Sequence, residues 1–119
     1  MAETLPPEIQ QQVVKYQQLQ TQLNQVLSEK SIIEQELREI NRALDILKNV
    51  PDDADIYRSA GHLLVKINKS DAEKELTERK EILELRLKTL GRQESLLRQQ
   101  LAEIQSKLNQ YIASTYKRM

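Results

Sequence analysis

From Tyr16 to Leu47 the apolar residues of this chain step three and four apart. They are Tyr16, Leu19, Leu23, Val26, Ile33, Leu37, Ile40, Leu44 and Leu47, with Lys30 breaking the stripe. Such steps average about 3.5 residues, the coiled-coil period. Ile9 and Val13 extend the stripe upstream in a slightly shifted phase. Pro7 suits a first turn, and Glu8 suits the positive end of the helix dipole. Asn49 can cap the far end and Pro51 stops it, so the pattern predicts a helix over about 7–49.

A second stripe runs Leu76, Lys80, Leu83, Leu87, Leu90, Glu94, Leu97, Leu101, Ile104, Leu108 and Tyr111. Ser70 and Glu73 have the spacing of a capping box, which places a second helix over about 71–117. Glu34–Arg38, Glu75–Arg79, Glu84–Lys88, Glu94–Arg98 and Glu103–Lys107 each put an acid four residues before a base. On an exposed helix face each such pair contributes about 0.2–0.5 kcal/mol. Gly91 falls inside this helix and costs about 1 kcal/mol relative to Ala, marking a bend or a tolerated weak point.

At ~1.5 Å per residue each helix is roughly 65 Å long. The stripes match in length and are joined by a short connection. They predict an antiparallel coiled coil with both termini at its far end, and Lys30 either facing Glu94 across the seam or, like Glu94, turning to solvent on its own. Parallel zippers between two chains are the alternative topology, and the connection, which turns the chain back on itself, argues against them.

That connection contains DIYRSAGHLLVKI, a β-hairpin over about 55–68 with Gly61-His62 as a two-residue turn. In this register Ile56 faces Ile67, Arg58 faces Val65 and Ala60 faces Leu63 on one side of the ribbon. Tyr57 with Lys66 and Ser59 with Leu64 share the other. The second strand, LLVKI, is apolar on both sides for most of its length, as in a buried strand. A lone hairpin is marginal in water, since it can neither bury its faces nor satisfy its edges. Two helices leaving one end of it cannot cover both, so other subunits must. Ile56, Tyr57, Ala60, Gly61, Leu63, Leu64, Val65 and Ile67 are the candidate oligomerisation residues. The fold class is mainly α: a long antiparallel coiled-coil hairpin with one central β-hairpin that assembles into an intersubunit β-barrel.

Composition sharpens this picture. The 119 residues hold no Trp, Phe or Cys, only four Tyr, and 30% charged residues. This is the profile of long helices rather than of a compact core. Eighteen basic and eighteen acidic residues balance, which disfavours a nucleic-acid partner. Without Cys there is neither disulfide nor thiol chemistry. His62, the one histidine, sits at the turn and reads as structural. Asp52, Asp53 and Asp55 lack the Gly and closing Glu of a calcium loop, and no phosphate loop, nucleophile elbow or zinc spacing occurs. The chain is expected to be a non-enzyme without metal or cofactor. No apolar run approaches a membrane span or a signal core, so no membrane partner and a cytoplasmic location are expected.

The central segment DDADIYRSAGHLLVKI between two coiled-coil helices resembles the prefoldin beta-type subunit, archaeal in type. The resemblance covers the whole chain: the Gln-rich first helix, the acidic loop, the Tyr57 strand, Gly61 at the turn, the apolar second strand and a capped second helix. It implies a hetero-hexamer of two alpha and four beta chains, a β-barrel platform bearing coiled-coil tentacles, ATP-independent capture of unfolded clients, and delivery to a group II chaperonin.

The far ends carry their own signal. From Glu8 to Leu27 only Glu8 and Lys15 are charged, and from Gln105 to Tyr116 only Lys107 is. Leu5, Ile9, Val13, Val14, Ile112, Tyr116 and Met119 exceed what a narrow seam can bury. With the seam residues Tyr16 and Tyr111 they form the candidate client-binding set, because exposed apolar surface marks an interaction site. The competing functional reading is a structural tether or adaptor with one dedicated partner.

Overall fold

The computed structural model describes residues 5–117. Four elements follow in order: α1 (Pro7–Lys48), β1 (Ile56–Ala60), β2 (Leu63–Ile67) and α2 (Lys69–Lys117). The chain divides into two compact units. One comprises the residues up to Glu29 together with those from Leu90 onward; the other is Lys30–Thr89.

In the first unit the beginning of α1 packs against the end of α2. Leu19, Leu23 and Val26 are buried with Leu90, Leu97, Leu101 and Ile104. Tyr16, Glu94, Leu108 and Tyr111 are half-buried at the same seam. The seam is thus made by the three-and-four stripe, and the Glu94 carboxylate accepts a bond from Arg98 Nε at 2.9 Å.

In the second unit Ile33, Ile40 and Leu47 of α1 are buried with Ala72 and Leu83 of α2. Lys30, Leu37, Leu44, Leu76, Lys80 and Leu87 are half-buried. Arg79 does not close on Glu75 as the helical spacing suggests. Its Nε and Nη2 donate to Glu36 of α1 at 3.2 and 3.3 Å. Glu75 instead accepts Arg58 Nη1 of β1 at 2.7 Å. Both residues trade a weak local pair for a tertiary one that fixes an element. Arg38 makes only a local contact within α1, its Nη2 donating to the side-chain Oε1 of Gln35 at 2.7 Å.

Local chemistry sets the helix ends. The Pro6 carbonyl accepts the amides of Ile9 and Gln10 at 3.0 Å, leaving Pro7 where its missing N–H costs nothing. At the other end of α1 the Asn49 amide donates to the Asp45 carbonyl at 3.1 Å. The N-cap of α2 differs from the expected Ser70: it is Asn68. Its Oδ1 accepts the Asp71 amide at 2.7 Å while its Nδ2 donates to the Asp71 carboxylate at 3.0 Å. The Asn68 carbonyl also takes the Ala72 amide at 3.0 Å. Asn is at least as good a cap as Ser, so the earlier residue wins and the helix starts at Lys69.

Lys69 closes the base of the hairpin. Its side chain is only 16% exposed, and its ammonium reaches the Asp52 carboxylate at 3.4 Å. It also donates to the Val50 carbonyl, just beyond α1, at 3.0 Å.

Candidate functional site

Two surfaces remain apolar and open after folding. The first lies on the unit built from the beginning of α1 and the end of α2. There Leu5, Val14, Ile112 and Tyr116 are exposed. Ile9 and Val13 are half-buried, as are Tyr16 and Tyr111 at the seam. Met119 lies outside the described residues. The polar neighbours are largely amides and hydroxyls bonded within their own helix. Gln20 donates to Asn24 at 3.3 Å and Gln105 to Asn109 at 3.0 Å. Thr21 and Thr115 return their hydroxyls to the carbonyls of Gln17 and Tyr111. The surface therefore offers aliphatic and aromatic side chains in a nearly uncharged setting.

The second surface is the hairpin. β1 and β2 pair antiparallel with Ile56 opposite Ile67, Arg58 opposite Val65 and Ala60 opposite Leu63. Gly61 has φ +61° and is the only residue with positive φ among those described, so the turn is type II′ with Gly at its first central position. Ile56 and Ile67, at the root, are half-buried. Away from the root Leu63 and Leu64 are 68% and 73% exposed, and Tyr57, Ala60 and Val65 are open as well. Among the described residues the sheet consists of β1 and β2 alone, so neither strand has a second strand beside it there. Exposed aliphatics on both faces, with strand edges unpaired among these residues, form a surface that water solvates poorly.

An apolar cleft of about 330 Å³ opens at the root, between Ala43, Ile46 and Leu47 of α1, Ala72 and Leu76 of α2, and β1. Sequence reasoning passed over this cleft. Ile46 is its clearest signal: it stands beside the seam residue Leu47, off the stripe, and two heptads after the similarly placed Ile32. Ile82, Leu85 and Leu96 are further exposed aliphatics outside the seam. No group of acidic and histidine residues among those described could hold a metal ion. No described helix is long and apolar enough to cross a membrane.

Known proteins with this arrangement settle its lineage. A model of the prefoldin subunit family matches residues 10–115. The chain belongs to the prefoldin family. It is 53% identical to the prefoldin subunit beta of Sulfolobus acidocaldarius over 98% of this chain and 93% of that one. It is 51% identical to the prefoldin subunit beta of Sulfurisphaera tokodaii over 98% of this chain and 93% of that one. The crystal structure of the prefoldin beta subunit from Thermococcus strain KS-1 superposes with a TM-score of 0.83 at 36% identity, covering 92% of this chain and 96% of that one. The beta2 subunit from the same strain, at 23% identity and TM-score 0.70, shares the fold over 76% of this chain and 97% of that one. Prefoldin is a chaperone family rather than an enzyme family, and this chain is a beta-type member of it.

Proposed function

We propose that this prefoldin subunit captures unfolded proteins without ATP on the apolar surface of its paired helix ends. In this reading it works in a cytoplasmic hetero-hexamer of two alpha and four beta chains, joined through the hairpins, and delivers clients to a group II chaperonin. The observation that carries the reading is the exposure of Val14, Ile112 and Tyr116 on a surface almost without charge. Burial of apolar area drives such binding, is non-directional, and so tolerates unrelated clients. The neutral Gln neighbours add no charge-based selection.

The test is light scattering of two unrelated denatured proteins diluted into buffer without ATP, with the assembled chaperone present. Val14, Ile112 and Tyr116 are replaced together by Ser; none is at the seam, so helix content and assembly serve as controls. Suppression by the parent and its loss in the triple variant are expected. Full suppression by a correctly assembled triple variant would remove the proposed site. A parent that suppresses nothing would point instead to a tether with one dedicated partner.

A further inference from the structure

The coil of the second unit has two unlike sides. Ala43 of α1 and Ala72 of α2 line the root cleft. Glu36 and Arg79 stand seven residues from them on the same two helices. Seven residues make two turns, so the Glu36–Arg79 ion pair, at 3.1 Å, lies on the cleft's side of the coil. Ile32 precedes Glu36 by four residues and Ile82 follows Arg79 by three. Both therefore stand one turn further along on that side. They are 68% and 60% exposed, and Ile46 at the cleft is 58% exposed. On the opposite side the positions flanking the seam are Glu34, Asn41, Lys48, Thr77 and Glu84, all exposed and none aliphatic. The groove between the helices there is lined mostly by Asn41, Asp45, Lys48, Glu73, Thr77 and Lys80.

The three isoleucines add nothing to the coil's own core, and their spacing does not suit a lasting partner. A further coiled-coil helix needs an apolar residue every three or four positions. Ile32 and Ile46 are fourteen residues apart, with exposed Glu39 midway. That separation is about 21 Å along the helix. Together the isoleucines offer on the order of 300 Å² of apolar surface, against the roughly 500 Å² that each side of a stable interface gives. The surface is too small and too interrupted for a second copy of the chain.

It does suit an unfolded segment. Such a segment carries single apolar side chains among polar ones, and its backbone N–H and C=O groups are unpaired. The Glu36 carboxylate and the Arg79 guanidinium, about half exposed between the isoleucines and the cleft, offer those groups an acceptor and donors. A preformed helix has its backbone paired already and gains nothing from them.

We infer that this side of the second unit is an additional contact surface for non-native proteins, taking extended segments with isolated aliphatic or aromatic side chains. This rests on the proposed capture of unfolded proteins at the helix ends and adds a second point of retention. For a client already held there, the second contact is intramolecular, so an interaction too weak to act alone still slows release.

A benzophenone photoprobe placed singly at Ile32, Ile82, Leu85, Thr77 or Ile112 of the assembled chaperone tests this. The client is reduced, carboxymethylated lactalbumin, which stays unfolded in buffer. Thr77 reports the polar side; Leu85, 66% exposed, reports an equally open leucine at the back of α2. Cross-linking at Ile32 and Ile82 should exceed that at Thr77 and Leu85 several-fold. Equal yields at these four positions overturn the inference, while a strong yield at Ile112 leaves capture at the helix ends standing. No client cross-link at Ile112 would remove that capture reading, and the inference with it. Cross-links between copies at Ile32 or Ile82 without client would assign the surface to subunit contact and overturn the inference. Replacing Ile32 and Ile82 together by Ser should raise the Kd for the labelled client about threefold to tenfold, with assembly unchanged. Leu85→Ser should leave that Kd unchanged. An equal rise in both would show that general surface hydrophobicity, and not this side of the coil, holds the client.

Discussion

Replacing Lys69 by Met should destabilise the hairpin base, and the size of the effect identifies which of its two partners matters. The Lys69 ammonium contacts the Val50 carbonyl at 3.0 Å and the Asp52 carboxylate at 3.4 Å. Asp52 is fully exposed, so that ion pair is screened by solvent and adds little. The carbonyl is different. It lies in the last, unpaired stretch after α1, where a cation also opposes the negative end of the helix dipole. A hydrogen bond to a charged group contributes about 1.5–3 kcal/mol, and Met keeps the apolar stem while deleting the donor. Lys69→Met should therefore cost about 1.5–3 kcal/mol, whereas Asp52→Asn should leave stability essentially unchanged. Urea unfolding followed by circular dichroism measures both. It must be run at several protein concentrations, because association shifts apparent stability. Equal losses in the two variants would refute the reasoning, for they would assign the effect to the ion pair. No loss in Lys69→Met would mean that water replaces the ammonium at Val50 without penalty.

Two further outcomes follow from packing. Leu90 is fully buried in the first unit, so Leu90→Ala should cost roughly 2–5 kcal/mol in the same assay. Exposed Leu85→Ala on the same helix should change stability by about 0.5 kcal/mol or less. Gly91→Ala should stabilise the chain by about 1 kcal/mol and raise its thermal midpoint, since an added Cβ meets nothing within 4 Å and φ is not positive. A lowered midpoint would show that the glycine serves the helix as it stands.

The seam was legible because two stripes in a constant phase leave one packing solution. The hairpin register was legible because a two-residue turn fixes every pair behind it. The N-cap of α2 was not, since Asn68 and Ser70 are both competent and only the path of the chain decides between them. Glu75 and Arg79 were misassigned to each other for a related reason. Helical spacing reveals the local partner, whereas Glu36 lies 43 residues from Arg79 and becomes a neighbour only after folding. Lys69 gave no signal at all, because its acceptor is a backbone carbonyl and any residue supplies one. The root cleft was hidden likewise: Ile46 reads as an off-stripe residue until β1 is placed beside it.

The two apolar surfaces differ in what they would require of a partner, and this bears on the proposed division between assembly and capture. The hairpin exposes backbone groups along its edges as well as leucines. Burying those groups unpaired costs about 1–3 kcal/mol each, so a partner that covers the leucines must also present a strand in register. Such a surface rejects most chains and suits subunit contact. The helix ends carry exposed side chains on a backbone whose N–H and C=O groups are already paired along the helix. Val14, Ile112 and Tyr116 can be covered by any apolar segment, in any register, with no backbone group left wanting. In the proposed function, promiscuity at the helix ends and selectivity at the hairpin would thus follow from secondary structure, with residues of similar hydrophobicity at both.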